Sequence, residues 1–245
     1  MLFNSGHFLV FFPLVVVLYY LLSHRWRWLL LLVASYYFYM SWNPAYITLI
    51  VFSTVVDYWA GWQMGKAENK KARKPWLWLS LASNLGLLGF FKYYNFFLEN
   101  VNHVSGADLQ YVKFLLPVGI SFYTFQTLSY SIDIYRGEIK PEKHFGRFAL
   151  FVSFFPQLVA GPIERAKNLL PQMRRKIEFN VFNFTDGGKR IIWGLFKKVV
   201  IADNVAILVD HVYASPEAFG STSLLIASYL FAFQIYCDFS GYSDI

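Results

Sequence analysis

"LPVGISFYTFQTLSYSIDIYRG", residues 116–137, is an apolar stretch that carries one polar side. Gln126, Ser129, Tyr130 and Asp133 stand at i, i+3, i+4 and i+7, so a helix over this stretch puts all four on one face. An ionisable group at the centre of a bilayer costs about 2.5–3.5 kcal/mol on insertion scales, and such groups turn toward a bundle interior or a water-filled cavity. The stretch therefore predicts one helix among several, with its polar face turned away from lipid.

The rest of the chain extends that reading. Hydrophobic residues make up 56% and aromatic residues 21% of the 245, and the mean hydropathy is +0.38, outside the range of ordinary soluble domains. Asp, Glu, Lys and Arg are absent from residues 1–24, 28–56, 75–91, 114–132, 148–163 and 218–237. Several of these runs approach the roughly 20 residues that cross about 30 Å of hydrocarbon as a helix. The two-residue alternation of an outer-membrane barrel is missing. The expected fold is all-α: a polytopic integral membrane helical bundle with a re-entrant or broken segment, residues 1–245 forming a single membrane domain.

Expected spans are Phe8–Leu22, Trp28–Trp42, Tyr46–Met64, Trp76–Leu98, Phe114–Tyr135 and a last one from Thr222. The first has no basic region before it and no small-residue cleavage site after it, so it reads as a retained span. A formal charge of +7 could suggest nucleic acid, but the cations sit in short loops at Arg25 and Arg27, Lys66–Lys74, Arg136–Arg147 and Glu164–Lys176. That is the positive-inside pattern, with a secondary role in binding anionic lipid headgroups. It predicts an outer N-terminus, with these loops cytoplasmic. The run 148–162 is only 15 residues long and contains Pro156, Gly161 and Pro162, so it reads as the broken segment. Residues 187–213 are too charged for lipid. There Arg190, Trp193, Gly194, Lys197, Ile201 and Asn204 follow helical spacing as a basic face for the interface or an aqueous funnel.

Several polar residues are candidates for chemistry. Asp133 either pairs with a cation as helix glue or lines a substrate path. Asp57 and Lys92, both inside apolar runs, suggest a mutual or interfacial pair. Gln157, Glu164 and Arg165 surround helix breakers, where free backbone donors and a cation could hold an anionic thioester donor. Lys197 and Lys198 read as a snorkelling pair or as a binding site. His7, His24, His103, His144 and His211 all fall near span ends or in loops. The lone Cys237 excludes an internal disulfide and a cysteine-based zinc cluster, and no metal site is expected. Phosphate-binding glycine loops, HExxH and Gly-x-Ser-x-Gly are absent from the sequence.

Taken in order, "LPVGISFYTFQTLSYSIDIYRG", "FPQLVAGPIER" (155–165), "WGLFKKVVIADN" (193–204) and "YCDFSGYSDI" (236–245) resemble the membrane-bound O-acyltransferase family, in its bacterial alginate O-acetylation branch. The first fifteen residues and "YYFYMSWNPAYITLIVFSTVVDY" (36–58) are similar to the same branch. The resemblance implies a multi-pass protein of the bacterial inner membrane. It would transfer an acyl group, acetyl from acetyl-CoA or another acyl thioester as donor substrate, to an extracytoplasmic polysaccharide such as alginate. Envelope partner proteins would assist, and there is no bound cofactor and no nucleic acid. It also implies that the chain is the N-terminal half of the fold, with the family's catalytic tryptophan–histidine motif following Ile245 and no catalytic residue within 1–245. Gln126, Ser129, Tyr130, Asp133, Gln157, Glu164, Arg165, Lys197 and Lys198 would line the substrate path, with Asp238, Ser240, Tyr242 and Asp244 near the catalytic centre. Two other classes fit intramembrane carboxylates: a transporter or channel, which usually shows paired broken spans where only one is visible here, and a non-catalytic scaffold, whose polar faces would serve packing alone.

Overall fold

The computed structural model describes residues 3–106, 109–112, 116–158 and 161–245. It is all-helical, with no strand among the described residues. In chain order the helices are α1 (Gly6–Leu21), α2 (His24–Met40), α3 (Ile47–Lys66), α4 (Lys70–Leu88), α5 (Tyr94–Ser105), α6 (Ile120–Arg136), α7 (Phe145–Ser153), α8 (Phe155–Leu158), α9 (Ala166–Arg174), α10 (Val181–Leu195), α11 (Asp203–Ala214) and α12 (Ser221–Asp244). π-helical turns at Gly89–Tyr93 and Phe196–Ala202 join α4 to α5 and α10 to α11. Among the described residues, α12 is the one helix long and apolar enough to cross a membrane.

Contacts divide the chain into two compact units, residues 21–159 with 163–176, and residues 1–20 with 160–162 and 177–245. The larger unit is built on α2, α3, α4, α6 and α7. Its core holds Tyr130 and Ile134 of α6 against Phe148, Phe151 and Val152 of α7, with the Tyr130 and Phe148 rings 4.6 Å apart. Asn69 starts α4 by accepting the Ala72 N–H at 2.9 Å, a cap of the kind worth about 1 kcal/mol.

Two departures from the expected spans matter for the site. The expected start of the Phe114–Tyr135 span lies outside the described residues, and the helix found there, α6, begins only at Ile120. Gly119 has a left-handed φ of +74°, which interrupts any helix arriving from Leu116, and a side chain there would meet the Leu158 carbonyl at 2.4 Å. The expected break in 148–162 is present, at Phe154, where α7 ends and the single turn α8 begins. Val159 and Ala160, within the same expected segment, lie outside the described residues.

In the smaller unit α12 packs along α10, the second π-turn and α11. Asn180 caps α10 by accepting the Phe182 N–H at 2.8 Å. Where α10 and α12 cross, two glycines meet: a side chain at Gly194 would lie 2.7 Å from the Gly241 carbonyl, and one at Gly241 would lie 2.9 Å from the Gly194 carbonyl. Such pairs let two helix backbones come together. The expected basic face of residues 190–204 is thereby divided: Gly194 is buried and Lys197 turns to α12, while Arg190 ion-pairs outward with Asp186 and Trp193 is exposed.

Candidate functional site

Each unit carries a polar cluster. In the smaller unit the Gly194–Gly241 crossing brings the next turn of the chain against the end of α12, and Lys197 and Lys198 straddle that helix. Lys197 Nζ donates to Ser240 Oγ at 2.6 Å and to Asp244 Oδ2. Lys198 Nζ lies 2.7 Å from Asp238 Oδ1 and 2.9 Å from Asp203 Oδ1, and 5.6 Å from the centre of the Tyr242 ring. Residues 240 and 244, like 238 and 242, are one helical turn apart, so each lysine reads one row of α12. The π-turn is what delivers both: an extra residue per turn lets two consecutive lysines face one neighbour, and such turns recur at functional sites. Burial alone would lower the Lys198 ammonium's pKa, but the bonds to Asp238 and Asp203 more than offset this and push it up to about 12. The result is a half-buried array of fixed charges with a hydroxyl beside it, able to orient a polar substrate.

Both lysines are engaged in ion pairs with carboxylates. Six of the sequence-selected residues, Lys197, Lys198, Asp238, Ser240, Tyr242 and Asp244, meet in this one cluster. Asp203 completes it. It was missed because its signal, a carboxylate five residues after Lys198, is not a helical neighbour spacing until the π-turn is known.

In the larger unit the polar face of α6 does separate tasks. Gln126 Nε2 donates to the Phe151 carbonyl at 2.7 Å and Gln157 Nε2 donates to the same oxygen at 3.3 Å, so both glutamines satisfy a carbonyl freed by the break at Phe154. Ser129 bonds back to the Gln126 carbonyl at 2.8 Å. The Tyr130 hydroxyl accepts the Glu142 N–H at 3.0 Å. Asp133 is buried at 4% exposure, makes no ion pair among the described residues, and its Oδ2 has no hydrogen-bond partner. Glu164 accepts from Asn168 at 3.3 Å, and Arg165 is exposed at the start of α9.

The expected Asp57–Lys92 pair does not form. Asp57 is fully buried and accepts from Ser80 Oγ at 2.5 Å and from Asn84 Nδ2 at 2.9 Å, while Lys92 reaches Ser121. Ser80 also bonds Ser131 at 2.8 Å, and Thr127 donates to Asn84 at 3.1 Å, so α3, α4 and α6 share one polar network. Neutral amides and hydroxyls satisfy a buried carboxylate without importing a second charge. The visible signal was Ser80 and Asn84, four residues apart in an otherwise apolar run.

Along its whole length the chain is 41% identical to a protein named "Probable alginate O-acetylase AlgI" from Pseudomonas aeruginosa and 39% identical to one so named from Azotobacter vinelandii. The alignments, of 251 residues, cover 48% and 50% of those relatives. A peptidoglycan O-acetyltransferase of Helicobacter pylori is 36% identical over 89% of the chain. The chain is thus similar along all or most of its length to part of each of these O-acetylases. It spans about half the length of the curated relatives it matches. No family model matches it. Both motifs that build the α10–α12 crossing, "WGLFKKVVIADN" and "YCDFSGYSDI", lie inside the aligned region.

Proposed function

We propose that the protein is a membrane-bound O-acyltransferase of the bacterial inner membrane, moving acetyl from a cytoplasmic acyl thioester such as acetyl-CoA to hydroxyls of an extracytoplasmic polysaccharide such as alginate. The observation that carries this is 41% identity to an alginate O-acetylase with no part of the chain left unmatched. Alginate is favoured over peptidoglycan as acceptor because the alginate relatives align over all of the chain and the peptidoglycan enzyme over 89% of it. Multi-pass insertion is supported by the apolar side chains of Val10, Leu21, Val33, Phe52, Trp78 and Ile192, all more than half exposed. Anionic lipids and envelope O-acetylation proteins are the partners.

In the transfer, a polysaccharide hydroxyl oxygen attacks the thioester carbonyl carbon; the C–O bond forms, the C–S bond breaks, and the hydroxyl proton ends on the leaving thiolate. A base positioned on the hydroxyl is worth about 10²–10⁴ in rate. The roles of this chain's residues are orientation and charge. Lys197 and Lys198, held by Asp203, Asp238 and Asp244, keep positive charge beside the Ser240 hydroxyl and the Tyr242 ring, where a polar substrate or developing oxyanion gains from fixed donors. Asp133, with one oxygen free, lines the substrate path on α6.

The test is complementation. The intact protein carrying this chain, expressed in a Pseudomonas aeruginosa strain lacking its alginate O-acetylase, restores acetyl esters to secreted alginate. Stable, membrane-inserted protein with no ester on alginate or on peptidoglycan would refute the reading; ester on peptidoglycan alone would correct the acceptor.

A further inference from the structure

The larger unit holds two adjoining clefts that the reading above does not use. The first, about 680 Å³, is lined from the loop after α6, from α7 and from α9. Five cations stand on it, Lys140, Lys143, Arg147, Lys167 and Arg174, against one carboxylate, Glu142. The second, about 330 Å³, is lined by Arg25, Trp26 and Trp28 together with His24 and has no carboxylate among its described lining residues. His144 and Arg147 line both.

Glu142 does not neutralise this charge. Its Oε1 accepts the His144 N–H at 2.9 Å and its Oε2 is taken by Arg174, Nε at 3.1 Å and Nη2. At 3% exposure it fastens the loop to α9 and leaves the other four cations without an acidic partner among the described residues. Two polar atoms on these walls are unsatisfied: among the described residues, the buried Arg147 Nε donor has no acceptor and the buried His24 Nδ1 has no partner. His144 accepts the Arg147 N–H on Nδ1 at 3.2 Å, which places its own proton on Nε2 as a further donor on the shared wall. Trp28 closes the floor against Gly146, where any side chain would lie 2.2 Å from the indole.

We infer that this double cleft binds a phosphate-bearing anion, with Arg147 as the central contact and Lys143 and Lys167 closing on it from two elements. A guanidinium fork ringed by ammonium groups matches the several acceptor oxygens of a phosphate better than a single carboxylate would use them. The same chemistry is offered by a soluble pyrophosphate-bearing molecule and by a phospholipid headgroup. The site was invisible in sequence because its cations come from three loops and helices that read as ordinary positive-inside segments; the sequence pointed instead to Arg165, which lines neither cleft.

The intact protein in neutral detergent is titrated calorimetrically with inorganic pyrophosphate and, separately, with phosphatidylglycerol in mixed micelles, phosphatidylcholine serving as blank. Saturable binding is expected, weakened at least about tenfold by Arg147→Gln and severalfold by the exposed pair Lys143→Gln/Lys167→Gln, and unchanged by Lys70→Gln/Lys71→Gln. Pyrophosphate binding identifies a soluble ligand; phosphatidylglycerol binding without it identifies a headgroup. Should Arg147→Gln fail to fold, the exposed lysine pair carries the comparison. Absence of saturable binding to both probes, or undiminished affinity in the lysine pair, overturns the inference. Ester content is a separate readout, so failure here leaves the acyl-transfer reading standing.

Discussion

Adding one methyl group at Gly194 tests whether the α10–α12 crossing builds the charged cluster. The new carbon would sit 2.7 Å from the Gly241 carbonyl oxygen and 2.7 Å from Ile245 Cγ1, where ordinary contact begins near 3.4 Å. One helix must therefore retreat by about 0.7 Å, and the obstacle is backbone, which cannot swing aside. Overpacking of this kind costs about 1–3 kcal/mol. The retreat also pulls Asp238, Ser240 and Asp244 from the two lysines, whose bonds of 2.6–2.9 Å do not stretch by that amount and survive. Since a misplacement of about 1 Å can cost about 10² in rate, Gly194→Ala should lower polymer acetylation at least about tenfold. Gly187→Ala, in the same helix with nothing within 4 Å of the added carbon, is the matched control and should be silent or slightly stabilising. Acetyl ester on secreted polymer and thermal stability in detergent are measured for both. Equal activity and stability in the two variants would refute the claim that backbone contact at Gly194 positions the lysines.

Asp133→Asn keeps the shape of a buried side chain whose Oδ2 has no partner, so it should leave membrane levels intact while cutting acetylation; wild-type ester content would return Asp133 to a packing role. For Lys198 the raised pKa fixes the sign: its contribution to stability is complete below the ordinary value of 10.5 and is lost only as pH rises through about 12. Lys198→Met should thus lower the melting temperature equally at pH 6 and pH 9, and a loss confined to pH 9 would contradict it. In a Cys237→Ser background, Lys71→Cys should react with an impermeant thiol reagent only after the inner face is opened, and labelling of intact cells would reverse the proposed topology.

The helices were legible because apolar periodicity reports a lone segment's preference. α2, α3 and α12 start and stop within a few residues of the expected spans, and the break in 148–162 followed from Pro156 in a run of mostly apolar residues. What the sequence misplaced depends on partners far along the chain. Gly119 shortens α6 because Leu158 occupies the space beside it, and Asp57 takes Ser80 and Asn84 instead of Lys92 because α4 lies along α3. The same holds for the site. "YCDFSGYSDI" and "WGLFKKVVIADN" named six members of one cluster, yet Asp203 required knowing that the chain winds wider at 196–202. Glu142, which organises the basic clefts, sits in a loop whose composition says only that it is charged.

The Asp57 network has a consequence for the order in which the chain is made. Asp57 emerges in α3 before any of its donors exist, and a carboxylate in apolar surroundings is a liability until they come. Ser80 and Asn84 follow within one hairpin, whereas Thr127 and Ser131 arrive more than forty residues after Asn84. A growing chain therefore has to hold α3 and α4 together as its first committed pair, with α6 locking the pair afterwards. Divided into two co-produced fragments, the protein should tolerate a cut between α5 and α6 far better than one between α3 and α4, because only the second cut releases the carboxylate with nothing to receive it.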